Sequence, residues 1–95
     1  VPDDVTSMTI TKVKSYSRST TATVDWNIEE RLEATSETAG TDLLAADATA
    51  VYAGLDSTSF DNASFASGTH VVLTTSAITN TPTRLKLSIY FTDVE

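Results

Sequence analysis

The sequence predicts an all-β fold: a single-domain antiparallel β-sandwich, jelly-roll-like, with one short helical turn. Five to seven short segments alternate between apolar and polar residues with a period of two, which is typical of half-buried strands. Serine and threonine fill about three positions in ten, and the β-branch of threonine favours strands. The 95 residues suffice for one domain and are too few for two, so residues 1–95 should share one core.

The first predicted strand covers Thr6 to Ser15, after a lead-in at residues 1–5 that we expect to be a flexible arm. The alternation slips within this strand, because Val13 lies out of phase with Ile10. An extra residue in one strand of a pair shifts the phase in this way, so the slip predicts a β-bulge near Lys12.

The second predicted strand covers Ala22 to Ala34 and has a clear period of two. Its apolar positions share one face, which Glu30 interrupts; they are Val24, Trp26, Ile28 and Leu32. The opposite face is strongly polar, so one face should be buried and the other solvated. A helix is the competing prediction for Ile28 to Ala34, where the residue types suit helices. The unbroken alternation favours the strand.

The middle of the chain is predicted to be less regular. Thr41 to Asp47 is predicted as the helical turn, with one of its first two residues as N-cap. Ala48 to Ala53 is predicted as a strand and Gly54 to Ser59 as a turn. Phe60 and Phe65 flank a polar stretch and should anchor a loop or a short strand to the core.

Two further strands are predicted near the C-terminus, joined by residues 78–83. The first, Thr69 to Ala77, places Val71, Leu73 and Thr75 on one face. The second, Arg84 to Asp93, has the plainest alternation in the chain. Its predicted core-facing residues are Leu85, Leu87, Ile89 and Phe91.

The composition argues against several classes of function. The net charge of −7 argues against binding nucleic acid, which depends on Lys and Arg, and against docking on an anionic membrane. The chain contains no cysteine, so a disulfide, a zinc–thiolate site and a thiol nucleophile are excluded. No apolar run approaches the length of a membrane span.

The sequence shows no set of residues typical of a catalytic site. We therefore expect a protein with a binding or structural role that is not an enzyme. His70 is the only histidine and is expected to have a structural or surface role. The chain has neither a G-x-S-x-G elbow nor a glycine-rich phosphate loop. We expect no cofactor. The alternative is a calcium site built from loop carboxylates, namely Asp42, Asp47, Asp56 and Asp61.

Tyrosines and loop side chains are the first candidates for contacts with partners or ligands. The tyrosines are Tyr16, Tyr52 and Tyr90. Tyrosine is common at interfaces because its ring is apolar while its hydroxyl group can remain in contact with water. The loop candidates, which together with Tyr52 would form a platform for host carbohydrate, are Asp56, Asp61 and Asn62.

Glu30 is the last candidate, because it interrupts an apolar face. Two interpretations stay open: a rim carboxylate near a strand end, or a partly buried carboxylate that pairs with a cation between subunits. The candidate cations are Arg31 of a neighbouring copy, Arg84 and Lys86.

Three parts of the sequence carry a resemblance to a known class of proteins. They are VDWNIEER (24–31) with TAGTDLL (38–44), STSF (57–60) with GTHVVL (68–73), and TPTRLKLSIYFT (81–92). Together they resemble small β-sandwich proteins of tailed bacteriophages and related viruses, which occur as capsid decoration (cement) proteins, head fibres and tail-fibre modules. The likeness covers most of the chain and includes no catalytic signature.

The resemblance implies a structural virion component on the particle surface, often a homotrimer. We expect a capsid decoration protein whose partners are copies of itself and the major capsid protein or a fibre protein. One alternative is a receptor- or carbohydrate-binding module of a phage head or tail fibre, with a host surface glycan as ligand. A second alternative is a non-viral extracellular adhesion or filament domain.

Overall fold

The computed structural model describes residues 1–32 and 38–94. Within these ranges the chain forms strands and turns and contains no helix. The eight strands are β1 (Ser7–Arg18), β2 (Thr23–Leu32), β3 (Thr41–Asp42), β4 (Ala48–Ala50), β5 (Leu55–Ser57), β6 (Ser64–Ala66), β7 (Thr69–Thr79) and β8 (Arg84–Val94).

The strands form two antiparallel sheets that share one plan. In sheet A, the central strand β1 pairs with β8 on one edge and with the short strands β5 and β6 on the other. In sheet B, the central strand β2 pairs with β7 on one edge and with the short strands β3 and β4 on the other. The predicted all-β sandwich of antiparallel sheets is therefore confirmed.

Two neighbouring turns fold a long two-stranded ribbon over itself. Residues 19–22 connect β1 to β2, and residues 80–83 connect β7 to β8. The Thr83 amide donates to the Arg18 carbonyl, and the Asn80 side chain donates to the Thr21 carbonyl. Because the turns lie together, the outer edges of β7 and β8, which no described strand pairs with, lie along the same side of the sandwich. We call it the open side, and the side of the four short strands the closed side.

The strand order is only partly that of a jelly roll. The β2/β7 pair is nested within the β1/β8 pair, as in a jelly roll. The short strands, however, extend β1 and β2 in the described residues and do not pair with one another.

The core lies between the central strands and the closed side. Trp26 on β2 and Phe65 on β6 are the largest fully buried side chains. The other buried members of their cluster are Ile10, Val13, Ile28, Leu43, Leu44 and Ala50. The predicted core position of Trp26 and the predicted anchor at Phe65 agree with this arrangement, and Phe60 packs against the same cluster from a partly buried position.

The phase slip in the first strand arises from a bulge. Ile10 pairs with Phe91, but Lys12 pairs with Tyr90, so Thr11 is the extra residue of β1. The bulge turns Val13 to the same inner face as Ile10, and both are buried. The bulge predicted near Lys12 is confirmed.

The predicted helical turn at Thr41 to Asp47 is wrong. Its first two residues form β3, and bends follow. The Leu43 amide donates to the Ile28 carbonyl, while the buried side chain of Asn27 binds both the amide and the carbonyl of Leu44. These bonds occupy the backbone groups that a helical turn would use, so the segment extends along β2 instead.

Other boundaries also differ from the prediction. β1 continues to Arg18, β4 ends at Ala50, and the predicted turn after it contains β5. The competing helix is excluded as far as Leu32, where β2 ends. The rest of that predicted segment, residues 33–34, lies outside the described residues.

The lead-in at residues 1–5 is held against the sandwich, where we expected a flexible arm. The N-terminal ammonium of Val1 donates to the Thr69 carbonyl at 2.7 Å, and the Gly68 amide donates to the Val1 carbonyl at 2.8 Å. The Val1 side chain packs against the core cluster. These contacts tie the lead-in to the start of β7.

Candidate binding surfaces

The open side exposes much of the chain's apolar surface. Of the nine exposed large hydrophobic side chains in the described residues, seven belong to β7 and β8. They are Val71, Leu73, Ile78, Ile89, Tyr90, Phe91 and Val94. The ladders place Leu73 opposite buried Ile28 and Phe91 opposite buried Ile10, so both side chains point inward. Leu73 is nevertheless 48% exposed and Phe91 51%.

The edges of β7 and β8 lack a second partner strand among the described residues, so each leaves a row of backbone donors and acceptors unpaired. Edge strands of natural proteins usually contain a lysine, a proline or a β-bulge, and each of these features prevents unwanted pairing with a strand of another chain. β7 contains no charged residue, proline or glycine in its 11 residues, and its one irregularity is a bulge between Thr75 and Ile78. From Thr69 to Thr75 this edge is unprotected.

Basic side chains gather on the outer face of sheet A, which we call the basic face. Five of the six Lys and Arg residues of the chain lie there: Lys12, Lys14, Arg18, Arg84 and Lys86. One carboxylate of the paired strands, Asp56 of β5, shares the face, and its Oδ1 lies 3.9 Å from the Lys14 ammonium. An acidic chain thus presents one surface of opposite sign.

A groove of about 240 Å³ opens on the basic face. Its lining is Tyr16, Ser17, Arg18, Tyr52, Arg84 and Lys86. Gly54 fits against the Tyr16 ring: a Cβ at position 54 would lie 2.6 Å from Tyr16 Cε1, and φ there is +94°. Only glycine adopts this conformation at low cost. The structure therefore brings two of the predicted contact residues, Tyr16 and Tyr52, to one site.

The cations of this groove occupy neighbouring positions of two paired strands. Arg18 is directly opposite Arg84 in the β1/β8 ladder, and the next pair on this face is Tyr16 with Lys86. Among the described residues, none of these three cations has a carboxylate within 4.0 Å. Like charges directly opposite each other on neighbouring strands are unfavourable.

Tyr90 lies on the basic face but outside the groove. It is 47% exposed, and the Lys12 ammonium lies 4.8 Å from the centroid of its ring. This is cation–π geometry, which holds the lysine over the aromatic face. The contact binds two residues of sheet A to each other.

Glu30 is partly buried, and neutral donors of its own chain surround its carboxylate, while pairing with a cation of a neighbouring copy stays a prediction. Its carboxylate accepts hydrogen bonds from the Ala66 amide at 2.6 Å, Asn62 Nδ2 at 3.2 Å and Thr69 Oγ1 at 3.3 Å. The predicted partners Arg84 and Lys86 lie on the outer face of sheet A, whereas Glu30 lies on the inner phase of sheet B. The carboxylate of Glu30 thus has neutral hydrogen-bond donors within its own chain. These bonds connect β2 to the loop before β6, to β6 and to the start of β7.

The loop side chains proposed as a carbohydrate platform are separated. Tyr52 lines the groove, and Asp56 lies beside Lys14 on the basic face. The amides of Asp61 and Asn62 both donate to the Leu43 carbonyl, on the closed side. Asn62 acts as a structural donor to Glu30, so the four residues do not form one site.

The predicted calcium ligands do not converge either. Asp42 pairs in register with Glu29, whose carboxylate is bound by Arg31, and Asp47 lies nearby on the outer face of sheet B. Partial desolvation, together with the charges of Glu29 and Asp47, raises the pKa of Asp42. In residues 1–32 and 38–94, no group of three or more His, Asp or Glu side chains is arranged to hold a metal ion.

His70 is exposed on β7, in register with Arg31 on the polar face of sheet B. The position agrees with the predicted surface role. The described part of the chain also has no helix long and apolar enough to cross a membrane.

Arg18, Arg84 and Lys86 line the groove although none of them was predicted as a contact residue for a ligand, and Arg84 and Lys86 were predicted only as partners of Glu30. A signal for them exists: the basic and aromatic residues Lys12, Lys14, Tyr16 and Arg18 recur at every second position. Such spacing places them on one face of a strand. Only the pairing of β1 with β8 adds Arg84 and Lys86 to that face.

Comparison with known proteins adds no relative: no family model, no curated protein and no solved structure matches the chain.

Proposed function

We propose that this chain is a non-enzymatic structural protein that assembles with copies of itself through the open side. The observation that carries the proposal is the pair of long free edges, β7 and β8, with inward-facing apolar side chains left exposed. A free edge pairs with a strand of another chain by continuing the sheet, and the exposed side chains are buried in the same step.

Another copy of the chain is the partner that fits these edges best. Copies with a net charge of −7 repel one another unless they meet through uncharged surface. β7 provides such a surface, since none of its 11 residues is Asp, Glu, Lys or Arg. β8 also has 11 residues, so β7 of one copy and β8 of the next match in length. A head-to-tail contact of this kind forms a closed ring when its rotation closes.

The setting we propose is the virion surface, with the chain acting as a trimeric capsid decoration protein. The sequence resemblance supports this setting, and the partners there would be the major capsid protein or a fibre protein. Subunits joined through β7 and β8 would keep the outer faces of both sheets free for those partners. Particles that lack the protein should assemble but lose infectivity at a lower temperature than complete particles. Equal heat resistance of the two kinds of particle would contradict the decoration role.

The assembly itself is tested by the mass of the purified protein in light scattering across a dilution series. We expect a defined oligomer, with three copies as the expected number. Phe91→Lys and Leu73→Lys, which place a charge on the exposed inner face, should reduce the mass to that of one subunit. Their matched controls are Thr92→Lys and Ser76→Lys, which add the same charge to the outer faces of the same strands.

Two results would contradict self-assembly. One is a wild-type protein that remains a single subunit at the highest soluble concentration. The other is equal loss of mass in the outer-face controls, which would mean that added charge alone separates the copies.

A filament-forming or adhesion domain outside viruses is a second candidate function, and the same edges favour it. A head-to-tail contact whose rotation does not close produces an open filament. A mass that grows continuously with concentration would indicate this function, whereas a fixed small mass indicates the closed ring.

A further inference from the structure

We propose that the groove on the basic face binds a carboxylated sugar unit of an acidic glycan. In this site the paired guanidinium groups of Arg18 and Arg84 hold the carboxylate, and the rings of Tyr16 and Tyr52 pack against the sugar. The inference is independent of self-assembly, because the groove lies on the outer face of sheet A.

The charge balance of the chain is the first argument. The chain has 13 Asp and Glu residues against six Lys and Arg residues, so carboxylates outnumber cations about two to one. Three of the six cations nevertheless converge on one groove without a carboxylate within 4.0 Å among the described residues. Since like charges opposite each other on paired strands are unfavourable, a bound anion would relieve the repulsion between Arg18 and Arg84.

The residue types in the groove are the second argument. The planar fork of arginine matches a carboxylate through two parallel hydrogen bonds, and Lys86 adds a third positive charge. Tyrosine offers an apolar ring with a polar tip, which suits a ligand that is partly apolar and partly wet. Gly54 lets the backbone approach the Tyr16 ring closely, so the ring has a defined position.

The size of the groove is the third argument, and it favours a sugar over a long polyanion. Its volume of about 240 Å³ is below the roughly 300–1,000 Å³ that is typical of sites for drug-sized ligands. It therefore fits one small ring with its charged group. A nucleic acid or a long acidic peptide would need a longer basic track than the three cations of this groove.

Titration calorimetry of the full chain with tetragalacturonic acid tests the site, with maltotetraose as the uncharged sugar. We expect binding of the acidic sugar alone, weakened by salt because the contact is partly exposed. Arg84→Gln and Tyr52→Ala should each weaken binding by about tenfold or more, because each removes a direct contact. Arg84→Lys keeps the charge but loses the planar fork, so it should also bind more weakly than the parent.

Lys14→Gln is the matched control for charge. It removes one positive charge from the same face, but Lys14 lies outside the groove and beside Asp56. We expect it to change the affinity by less than about twofold, as for other exposed charges. A thermal unfolding curve of each variant shows whether the fold is kept, and Tyr52, which is exposed, should tolerate substitution.

Three results would overturn the proposal. One is that tetragalacturonic acid does not bind at about 10 mM, a concentration roughly ten times a weak dissociation constant of about 1 mM. A second is that Lys14→Gln weakens binding as much as Arg84→Gln, which would indicate diffuse charge attraction. The third is that hexaglutamate or a short oligothymidylate binds as tightly as the sugar, which would assign the groove to an acidic peptide or to nucleic acid.

Discussion

Two phenylalanines show how differently the two sides of the sandwich are built. Phe65 lies on β6, a strand of three residues on the closed side, and is completely buried. Phe91 lies on β8, a strand of 11 residues on the open side, and is 51% exposed although it points inward. The phenylalanine of the short strand is therefore part of the buried core of the single chain, whereas the phenylalanine of the long strand is not.

The neighbours of each phenylalanine explain why Phe65 is buried and Phe91 is exposed. Phe65 is enclosed by a cluster that includes Trp26 and Leu43, so both sheets and the loop after β3 surround it. Phe91 has Ile10 beside it in the same sheet, but β8 has no further neighbour among the described residues. An apolar face is buried only when a second layer or strand lies against it. On the open side we propose that a second copy provides that cover.

The largest effect should separate these two residues. In the Leu73→Lys background, which should keep subunits apart, Phe65→Ala should lower the free energy of unfolding by about 3–5 kcal/mol, because it leaves a cavity. Phe91→Ala in the same background should cost about 1 kcal/mol, since the side chain is half in water already. Urea unfolding gives both values. Equal losses would mean that the open side is closed within one chain.

A smaller effect is expected at Glu30, the polar tie of the closed side. Glu30→Gln replaces one acceptor oxygen by a donor, so at least one of the three donors that face it loses its partner. We expect a loss of about 1–3 kcal/mol in urea unfolding. Asp93→Asn, the same kind of change on exposed β8, should stay within about 0.5 kcal/mol. A loss at Asp93 as large as that at Glu30 would contradict a structural role for these hydrogen bonds.

The smallest effect should come from Asp42, on the closed edge of sheet B. Desolvation and the charges of Glu29 and Asp47 raise its pKa above the ordinary value of 3.8, so the folded state binds the proton more tightly than the unfolded state. Stability contributed by this group is therefore present at low pH and lost as pH rises through the raised pKa. Asp42→Asn should be more stable than the parent at pH 7.

Urea midpoints at pH 7 and at pH 3 measure this difference between Asp42→Asn and the parent. The stability advantage of the variant should shrink or vanish at pH 3. At that pH protonation makes the Asp42 side chain of the parent largely uncharged, as asparagine is. An advantage that is equal at both values of pH would assign the effect to packing and not to charge. Asp93→Asn again serves as the control.

Prediction from sequence succeeded where local pattern and local sterics decide the structure. The alternation in β2 and β8 identified both strands and their inward phase, and the slip at Val13 identified the bulge. It failed at Thr41 to Asp47, where the residue types suit a helical turn. In the structure the side chain of Asn27, 17 positions away in the chain, forms hydrogen bonds with the backbone of Leu44 and keeps this segment beside β2. Prediction from sequence also did not anticipate the neutral donors to Glu30 within the chain, which are Asn62, Ala66 of β6 and Thr69 at the start of β7.

The candidate sites show the same limit. The sequence singled out Tyr16, Tyr52 and Tyr90 as contact residues, and all three lie on or beside the outer face of sheet A. The net charge of −7 gave no indication of the basic face, because the total charge carries no information about where the charged residues lie. Arg18 and Arg84 are 66 positions apart in the chain, and the β1/β8 ladder alone makes them neighbours.

By itself, the sequence determined the all-β class, the antiparallel sandwich, the inward phase of the long strands and the absence of thiol chemistry. These follow from side-chain alternation and composition, which act over a few residues. Only the tertiary structure decided which apolar faces are covered and where the cations gather. It also decided that β7 and β8 lie on the same side of the sandwich, with outer edges unpaired among the described residues. The physical reason is that burial and electrostatic contact depend on distance in space, and strand pairing sets that distance between residues far apart in the chain.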